Sequence, residues 1–570
     1  MYMQGQWISG WRKINFAIGM VGMIERFKLR RAARNVEKTQ AKTLRSILEY
    51  AKDTEYGKEH DFAGILQSKT PAELFKAYGE KVPVNDYEDL RPLINRHMHG
   101  EAGILFPGKP KMYATTSGTT SEPKWVPITE KYFSDVYGRM NKMWLSSLIS
   151  ANRHSFAGGV VSIVGKAIEG YAPDGTVYGS VSGVSFTNCP DFVKVAYSSP
   201  AEVFEIKDYK ARYYTIMRFG IEMNSTVLIT ANPSTIVEMQ NNVNEFFDDY
   251  VKDIENGTLK EDLDIPKHVR EALRSRMKKN PKRAQELRDL KARYGRVLPK
   301  HYWPDMAVVN TWHCGNTKIY LDKILGSFPK KTKQIEFGYF ASECRAGLVL
   351  NEGEDTTLFA HMHYFEFIRE TDLDNPNPEF LPLSKLEKGK RYCMFATTFS
   401  GLYRYNLNDL VEVTGFDGTI PMIQFVQKVN GIVTLTGEKL HERQFIKAVH
   451  DAEQELGMPT RFFIGFADAD YSGYRFFYEF ADASTTQERA EAFTAAVDAN
   501  LKKINIEYDA KRASFRVKDP ITHRLEQNSF EKFKAECIAE GARDGQFKLM
   551  LLLYKDQKRF PKFEKLVVNA

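Results

Sequence analysis

Apolar residues fall into two rhythms along this chain. Short, nearly unbroken runs at 158–164 (GGVVSIV), 226–230 (TVLIT) and 306–310 (MAVVN) are bounded by Gly, Pro or Asn. That punctuation marks strand ends, so the runs predict buried strands. Helical spacing fills the stretches between them, and strands alternating with helices argue for an α/β domain. In such domains ligands collect at the carboxyl ends of the strands. The segment 267–296 is dense in Lys and Arg, but Glu271, Glu286 and Asp289 interrupt it at helical intervals. It reads as a solvated helical hairpin with i,i+4 pairs rather than a nucleic-acid groove, with Pro281 after Asn280 separating the helices.

The pattern changes near 425–431. Beyond it, 461–466 and 474–480 read as strands and 486–501 as an amphipathic helix. The expectation is an α/β fold in two parts. A large N-terminal domain over 1–425 has mixed sheets flanked by helices, and a hinge joins it to a smaller α+β C-terminal cap over 431–570. At the other end, 14–24 is apolar after Arg12 and Lys13, but Glu25 follows and no small-residue cleavage pattern appears. The run is too short to span a bilayer. An amphipathic helix packed on the main domain is the favoured reading, with peripheral membrane contact as the alternative.

Composition changes this picture little. At 570 residues the chain exceeds what one core usually serves, and 43% hydrophobic with 13% aromatic content suffices for two. A net charge of +7, from 80 basic and 73 acidic residues, is slight for this length and gives no case for nucleic acid. The five cysteines are scattered and odd in number, which suits a reducing compartment, so the cytoplasm is expected. His361 and His363 would point the same way on a strand. With no third ligand nearby they read as ordinary strand histidines rather than a metal pair.

The candidate chemistry begins at Tyr113-Ala-Thr-Thr-Ser-Gly-Thr-Thr-Ser-Glu-Pro-Lys124. Hydroxyls around one glycine, closed by a lysine, suit a loop that wraps phosphate oxygens. It is not a Walker A loop, because Lys124 precedes Trp125. Taken alone, it could equally be a polar turn. Two further segments bear on that choice. Tyr339-Phe340-Ala341-Ser342-Glu343 follows a strand-like approach. Gly401-Leu-Tyr-Arg-Tyr-Asn-Leu-Asn-Asp409 leads into the strand-like 410–413.

In this order the three segments resemble the nucleotide-binding motifs of adenylate-forming enzymes, and more closely those of the Gretchen Hagen 3 family of acyl acid amido synthetases. His363-Tyr-Phe-Glu-Phe367 is similar to a further signature of that family, and the likeness runs over roughly 70–550. Asn406 and Asn408 stand where plant members carry arginine and glycine, and Gln427-Lys428 where they carry arginine and lysine. Those departures resemble the non-plant branch.

The resemblance implies ATP-dependent formation of an acyl adenylate, then transfer of the acyl group to the amine of an amino acid. Thr116, Ser117, Gly118, Thr119, Thr120 and Lys124 would grip phosphates. Glu343 would hold Mg²⁺. Tyr339 would stack on or edge the adenine, and Asp409 would accept from the ribose hydroxyls. Gly315, Phe340, Ala341 and Ser342 would complete the nucleotide site, and the acyl pocket would draw on 178–195 and 311–316. Lys428 and Lys439 would meet the nucleotide in one cap orientation, and Lys548 would be the cap's catalytic cation. The implied partners are a small carboxylic acid and an amino acid, without nucleic acid or stable membrane insertion, and the chain is expected to act as a monomer. Two alternatives stay open: a ligase with another acceptor such as the thiol of coenzyme A, and a non-catalytic nucleotide-binding protein of the same fold.

Overall fold

The computed structural model describes residues 8, 10–116, 124–313, 321, 324–350, 353–373, 375–429, 432–539, 551–555 and 559–568. The chain divides into two units, Met1–Thr115 with Trp125–Gln427, and Thr116–Lys124 with Lys428–Ala570.

Among the described residues, three sheets build the first unit. The three strand-like runs fold as β3 (Gly159–Ser162), β6 (Ser225–Ile229) and β7 (Val308–Thr311), joined by β8 (Lys333–Glu336). All pairs in this β3-β6-β7-β8 sheet are parallel. β3, β6 and β7 are buried along their whole length, which is why they read as continuous apolar runs rather than alternating ones. A second sheet has the order β2-β1-β5-β4, from β1 (Met112–Thr116), β2 (Lys124–Ile128), β4 (Gly170–Tyr171) and β5 (Val177–Gly179). The third has seven strands in the order β12-β11-β13-β14-β15-β10-β9. They are β9 (Gly347–Val349), β10 (Thr356–Leu358), β11 (Tyr364–Arg369), β12 (Leu381–Pro382), β13 (Arg391–Thr397), β14 (Tyr405–Asp417) and β15 (Ile420–Lys428). β14 starts five residues earlier than the apolar run 410–413 suggests, because the polar residues Asn406 and Asn408 sit inside it.

The N-terminal run becomes a helix, α1 (Trp11–Ala32), packed on the helix Arg139–Ala151. A Cβ on Gly22 would lie 2.1 Å from the Ser146 side chain, so glycine sets how closely the two helices approach. No helix among the described residues is long and apolar enough to cross a membrane.

The basic segment forms two helices, Lys267–Arg274 and Pro281–Tyr294, with Asn280 capping the second and Pro281 in its first turn. Most of their residues are solvated, as expected, but each helix also has a buried edge. The first helix packs on the turn Ala201–Glu205 and the second on the helix Phe247–Asn256. Arg283 is buried, donating from Nε to the Ile221 carbonyl (3.0 Å) and from Nη2 to the Tyr302 carbonyl (2.8 Å). Its charge pattern describes the outer face only, and the buried arginine is used to satisfy backbone carbonyls.

In the second unit, the two segments read as strands fold as β18 (Thr460–Asp468) and β19 (Gly473–Phe480), which pair as an antiparallel hairpin. With β20 (Lys518–Arg524) and β21 (Leu552–Tyr554) they make the sheet β20-β19-β18-β21. The helices Glu442–Leu456 and Gln487–Ile504 pack together, and Thr486 caps the second. A short ladder joins β16 (Ile432–Val433) to β17 (Leu440–His441).

Candidate active site

All four parallel strands end at one cavity of about 750 Å³. Ser162 closes β3 with Ile163 and Val164 after it, Ile229 closes β6 with Ala231 beyond, Trp312 follows β7 and Phe337 follows β8, and all of them line it. This is where the carboxyl ends of a parallel sheet place ligands, since chain reversals there leave a crevice between loops. Trp144 and Leu145 add apolar wall, as do Val181 and Phe186 of the expected acyl segment. Thr115, at the end of β1 and at the mouth of the hydroxyl-rich loop, also lines the cavity.

The Tyr-x-x-Ser-Glu segment forms a tight reversal directly after β8. Phe340 bridges to Arg345, the Ala341 N–H donates to the Cys344 carbonyl (3.1 Å), and the Ala346 N–H donates to the Tyr339 carbonyl (3.1 Å). Gly338 sits at φ 106°, and a Cβ there would lie 2.7 Å from the Gly347 carbonyl oxygen, so only glycine admits this entry. Buried Glu336 fixes the same turn by accepting from the Gly338 N–H (2.9 Å). The reversal places Phe340, Ala341, Ser342 and Arg345 on the cavity wall.

Arg345 was not singled out from the sequence, although an arginine two positions after Glu343 was a legible signal. Its guanidinium lies 4.1 Å from the Tyr137 ring centroid and 4.7 Å from that of Phe340. No carboxylate among the described residues lies within ion-pair distance of it. His363 Nε2 bonds the Arg345 carbonyl (2.9 Å), and burial holds that imidazole down to about 4, so it serves as a neutral donor. His361 lies in a turn and His363 just ahead of β11, so neither is on a strand and the two do not form a strand pair.

Glu343 is buried. Tyr87, Tyr137, Tyr339 and Tyr405 are held above the usual tyrosine range by burial, and the Glu343 charge adds to this at each. Its charge is therefore felt at four phenols. Among the described residues no group of three or more His, Cys, Asp or Glu could hold a metal. A divalent ion there would have one protein carboxylate and would need ligand oxygens and water for the rest, which is how Mg²⁺ is commonly held.

Asp409 and Tyr339 meet directly: the buried Tyr339 hydroxyl donates to Asp409 Oδ2. Tyr339 is thus enclosed and orients the aspartate, rather than offering an open face for stacking. Asp409 reaches this place through a bulge. The β13–β14 register pairs Cys393 with Leu410 and Phe395 with Asn406, leaving 407–409 opposite one residue. Asn408 occupies that bulge at φ 55°, and its N–H donates to Asn406 Oδ1 (2.8 Å). Asparagine is the side chain other than glycine that best accepts this left-handed backbone. The departure at 408 therefore keeps the conformation a glycine would supply.

Two signature segments join in the core. Arg404 Nε donates to Glu366 Oε2 (3.0 Å), and Nη1 donates to the Gly79 and Val82 carbonyls (2.9 Å each). Burial raises the Glu366 pKa against the opposing pull of Arg404. This pair fastens β11 to the loop before β14.

The remaining candidates are placed as follows. Lys124 opens β2 and is half-buried. Thr116 closes β1 and Lys428 closes β15, both described for their backbone alone. Ser117, Gly118, Thr119, Thr120, Gly315 and Lys548 lie outside the described residues. Lys439 belongs to the second unit, at φ 44°. Beside it, buried Glu438 accepts from the Leu435 (2.7 Å) and Thr436 (2.8 Å) N–H groups and from the Tyr474 hydroxyl, so that carboxylate organises the β16–β17 turn.

Comparison with known proteins finds relatives along the chain. Residues 26–333 match the GH3 family N-terminal domain, 356–428 the GH3 family central domain and 443–557 the GH3 family C-terminal domain. The chain is 27% identical over 560 residues to indole-3-acetic acid-amido synthetase GH3.3 of Arabidopsis thaliana, covering 90% of this chain and 89% of that protein. It is 25% identical over 557 residues to jasmonoyl--L-amino acid synthetase JAR4 of Nicotiana attenuata, covering 92% of each. Among solved structures, GH3.15 acyl acid amido synthetase shares the fold with a TM-score of 0.62 at 19% identity, over 95% of both chains. The chain belongs to the GH3 family.

Proposed function

We propose that the protein is an ATP-dependent ligase that adenylates a carboxylic acid and transfers the acyl group to the amine of an amino acid. The observation that carries this reading is the cavity itself. It is mainly apolar, lies at the carboxyl ends of four parallel strands, and holds Arg345 without a carboxylate partner among the described residues.

A carboxylate resists nucleophiles because its charge is delocalised and oxide is a poor leaving group. In the first half-reaction its oxygen attacks the α-phosphorus of ATP and pyrophosphate departs. In the second, an amine attacks the acyl carbonyl and AMP departs. The protein's task is alignment and charge compensation. In this reading the apolar wall takes the acid's body and Arg345 its carboxylate. The loop beyond Thr115, with Lys124, takes the phosphates, and Asp409, oriented by Tyr339, takes the ribose. Glu343 fits a Mg²⁺ ion shared with phosphate oxygens, which would offset charge on the triphosphate. The asparagine at 408 speaks for a working site, because it preserves the bulge that presents Asp409. Cys189, Cys344 and Cys393 are unbridged, which supports a reducing compartment such as the cytoplasm.

The test is ATP–pyrophosphate exchange across a panel of carboxylic acids, followed by AMP release with amino acids and coenzyme A in parallel. Exchange with at least one acid and amine-dependent AMP release are expected. Arg345→Gln should raise the KM for the acid by about tenfold or more while leaving that for ATP near its original value. Formation of ADP would sink the proposal. AMP release driven by coenzyme A alone would replace the acceptor.

A further inference from the structure

Among the described residues, nothing covers the apolar face of α1. Phe16 (71% exposed), Met20 (44%), Met23 (59%), Ile24 (54%) and Phe27 (66%) recur at three- and four-residue intervals and so form one stripe along the helix. Contiguous exposed patches of this kind mark interaction sites. The opposite face is firmly held. Ile14, Ile18 and Leu29 are buried, Gly22 abuts Ser146, Asn15 Nδ2 donates to the Arg153 carbonyl (2.8 Å), and Glu25 pairs with Arg139 (2.8 Å). The stripe is therefore preformed on the body of the first unit.

Charge decides what covers it. Exposed Arg12 and Lys13 lie at one end of the stripe, and exposed Arg30, Arg31 and Arg34 at the other. By helical spacing Arg12, Lys13, Arg30 and Arg31 share its sector, with Arg34 just past the helix end. Between residues 11 and 34 the sole acidic residue is Glu25, which is on the buried face. A second copy of this chain would bring basic ends against basic ends in either orientation of a two-fold contact. An aromatic and aliphatic stripe between cationic ends matches a bilayer whose headgroups are anionic.

We propose that α1 is an interfacial helix that seats the first unit on an anionic lipid bilayer, lying in its surface without crossing it. Ala17 and Val21, on the flank of the stripe, are exposed and also line the cavity. Docking sets that flank at the level of the acyl chains, which suits an acid with a lipid-soluble body, a consequence that rests on the proposed function.

The test is flotation of the full chain with vesicles of mixed phosphatidylglycerol and phosphatidylcholine, and with vesicles of phosphatidylcholine alone. Binding to the anionic vesicles is expected, weakened at least about tenfold by removing the anionic lipid or by high salt. The double variants Phe16→Ser/Phe27→Ser and Arg30→Glu/Arg31→Glu should each lose at least about tenfold in binding. Both should melt at the wild-type temperature and keep pyrophosphate exchange on a water-soluble acid. Equal flotation of wild type and Phe16→Ser/Phe27→Ser would overturn the proposal. So would a wild-type dimer in light scattering that this variant dissolves, since the face would then belong to a second copy. Lipid binding with no exchange on any acid would leave the docking standing and count against the ligase reading alone.

Discussion

Residues 406–409 show how little side-chain chemistry is needed to present one functional group. Asn406 accepts from the Asn408 N–H, Asn408 takes the left-handed backbone, and the bulge delivers Asp409 to the Tyr339 hydroxyl. Orientation and binding can therefore be separated by mutation. Asn408→Ala should lower stability by about 1–2 kcal/mol, the cost of that backbone for an ordinary residue, whereas Asn408→Gly should cost less. Asp409→Asn should leave stability nearly unchanged but weaken ATP binding by roughly 1–3 kcal/mol, the worth of a charge-assisted hydrogen bond. Denaturant titration reads the first pair and calorimetry the second. Equal ATP affinity for Asp409→Asn and wild type would remove Asp409 from the nucleotide site.

At the scale of elements, β11 and the loop before β14 act as one piece. Their likeness to family signatures suggests ligand contacts, yet Glu366 and Arg404 are spent on each other and on carbonyls of the helix–loop segment 79–82. A buried pair broken on one side leaves an uncompensated charge, so Glu366→Ala should cost about 3–5 kcal/mol. Replacing both partners, as Glu366→Leu with Arg404→Met, should recover much of that loss. Chemical denaturation of the three variants decides it. A loss below about 1 kcal/mol in Glu366→Ala would mean that water reaches Arg404 freely. Neither segment advertises this role, because a motif records which residues recur together and not whether they face a ligand or each other.

For the whole molecule, several histidines are folded in their neutral form. Burial lowers His97, His313, His363 and His523 from about 6.5 to about 4. At His97 the ring stacks on Phe106 (4.1 Å between centroids) and Nε2 accepts from the Leu105 N–H (3.0 Å). A base with a depressed folded-state pKa binds fewer protons folded than unfolded. Stability is therefore full above about pH 6.5 and falls as pH drops towards 4. His97 alone can account for at most about 3 kcal/mol of that fall, from 1.36 kcal/mol per pKa unit. His97→Gln keeps an acceptor and should flatten the slope of unfolding free energy against pH in this window by up to one proton. An unchanged slope would mean that His97 protonates freely in the folded state.

The local pattern carried much of this. Apolar runs with Gly, Pro and Asn at their ends located β3, β6 and β7, because a strand buried on both faces has no polar alternation to hide it. The Asn280–Pro281 break was readable for the same reason, since it acts within one turn of its own helix, and the helix read over 486–501 runs from Gln487 to Ile504. Of the segments expected to form the acyl pocket, ten residues between Gly179 and Val193, and Trp312, line the cavity. Tertiary structure alone decided the rest. It turned Tyr339 inward onto Asp409, spent Arg283 and Arg404 on buried carbonyls, and lined the cavity with α1 and Trp144. In each case the partner is distant in the sequence, and a side chain's role depends on which distant group satisfies it when water is excluded.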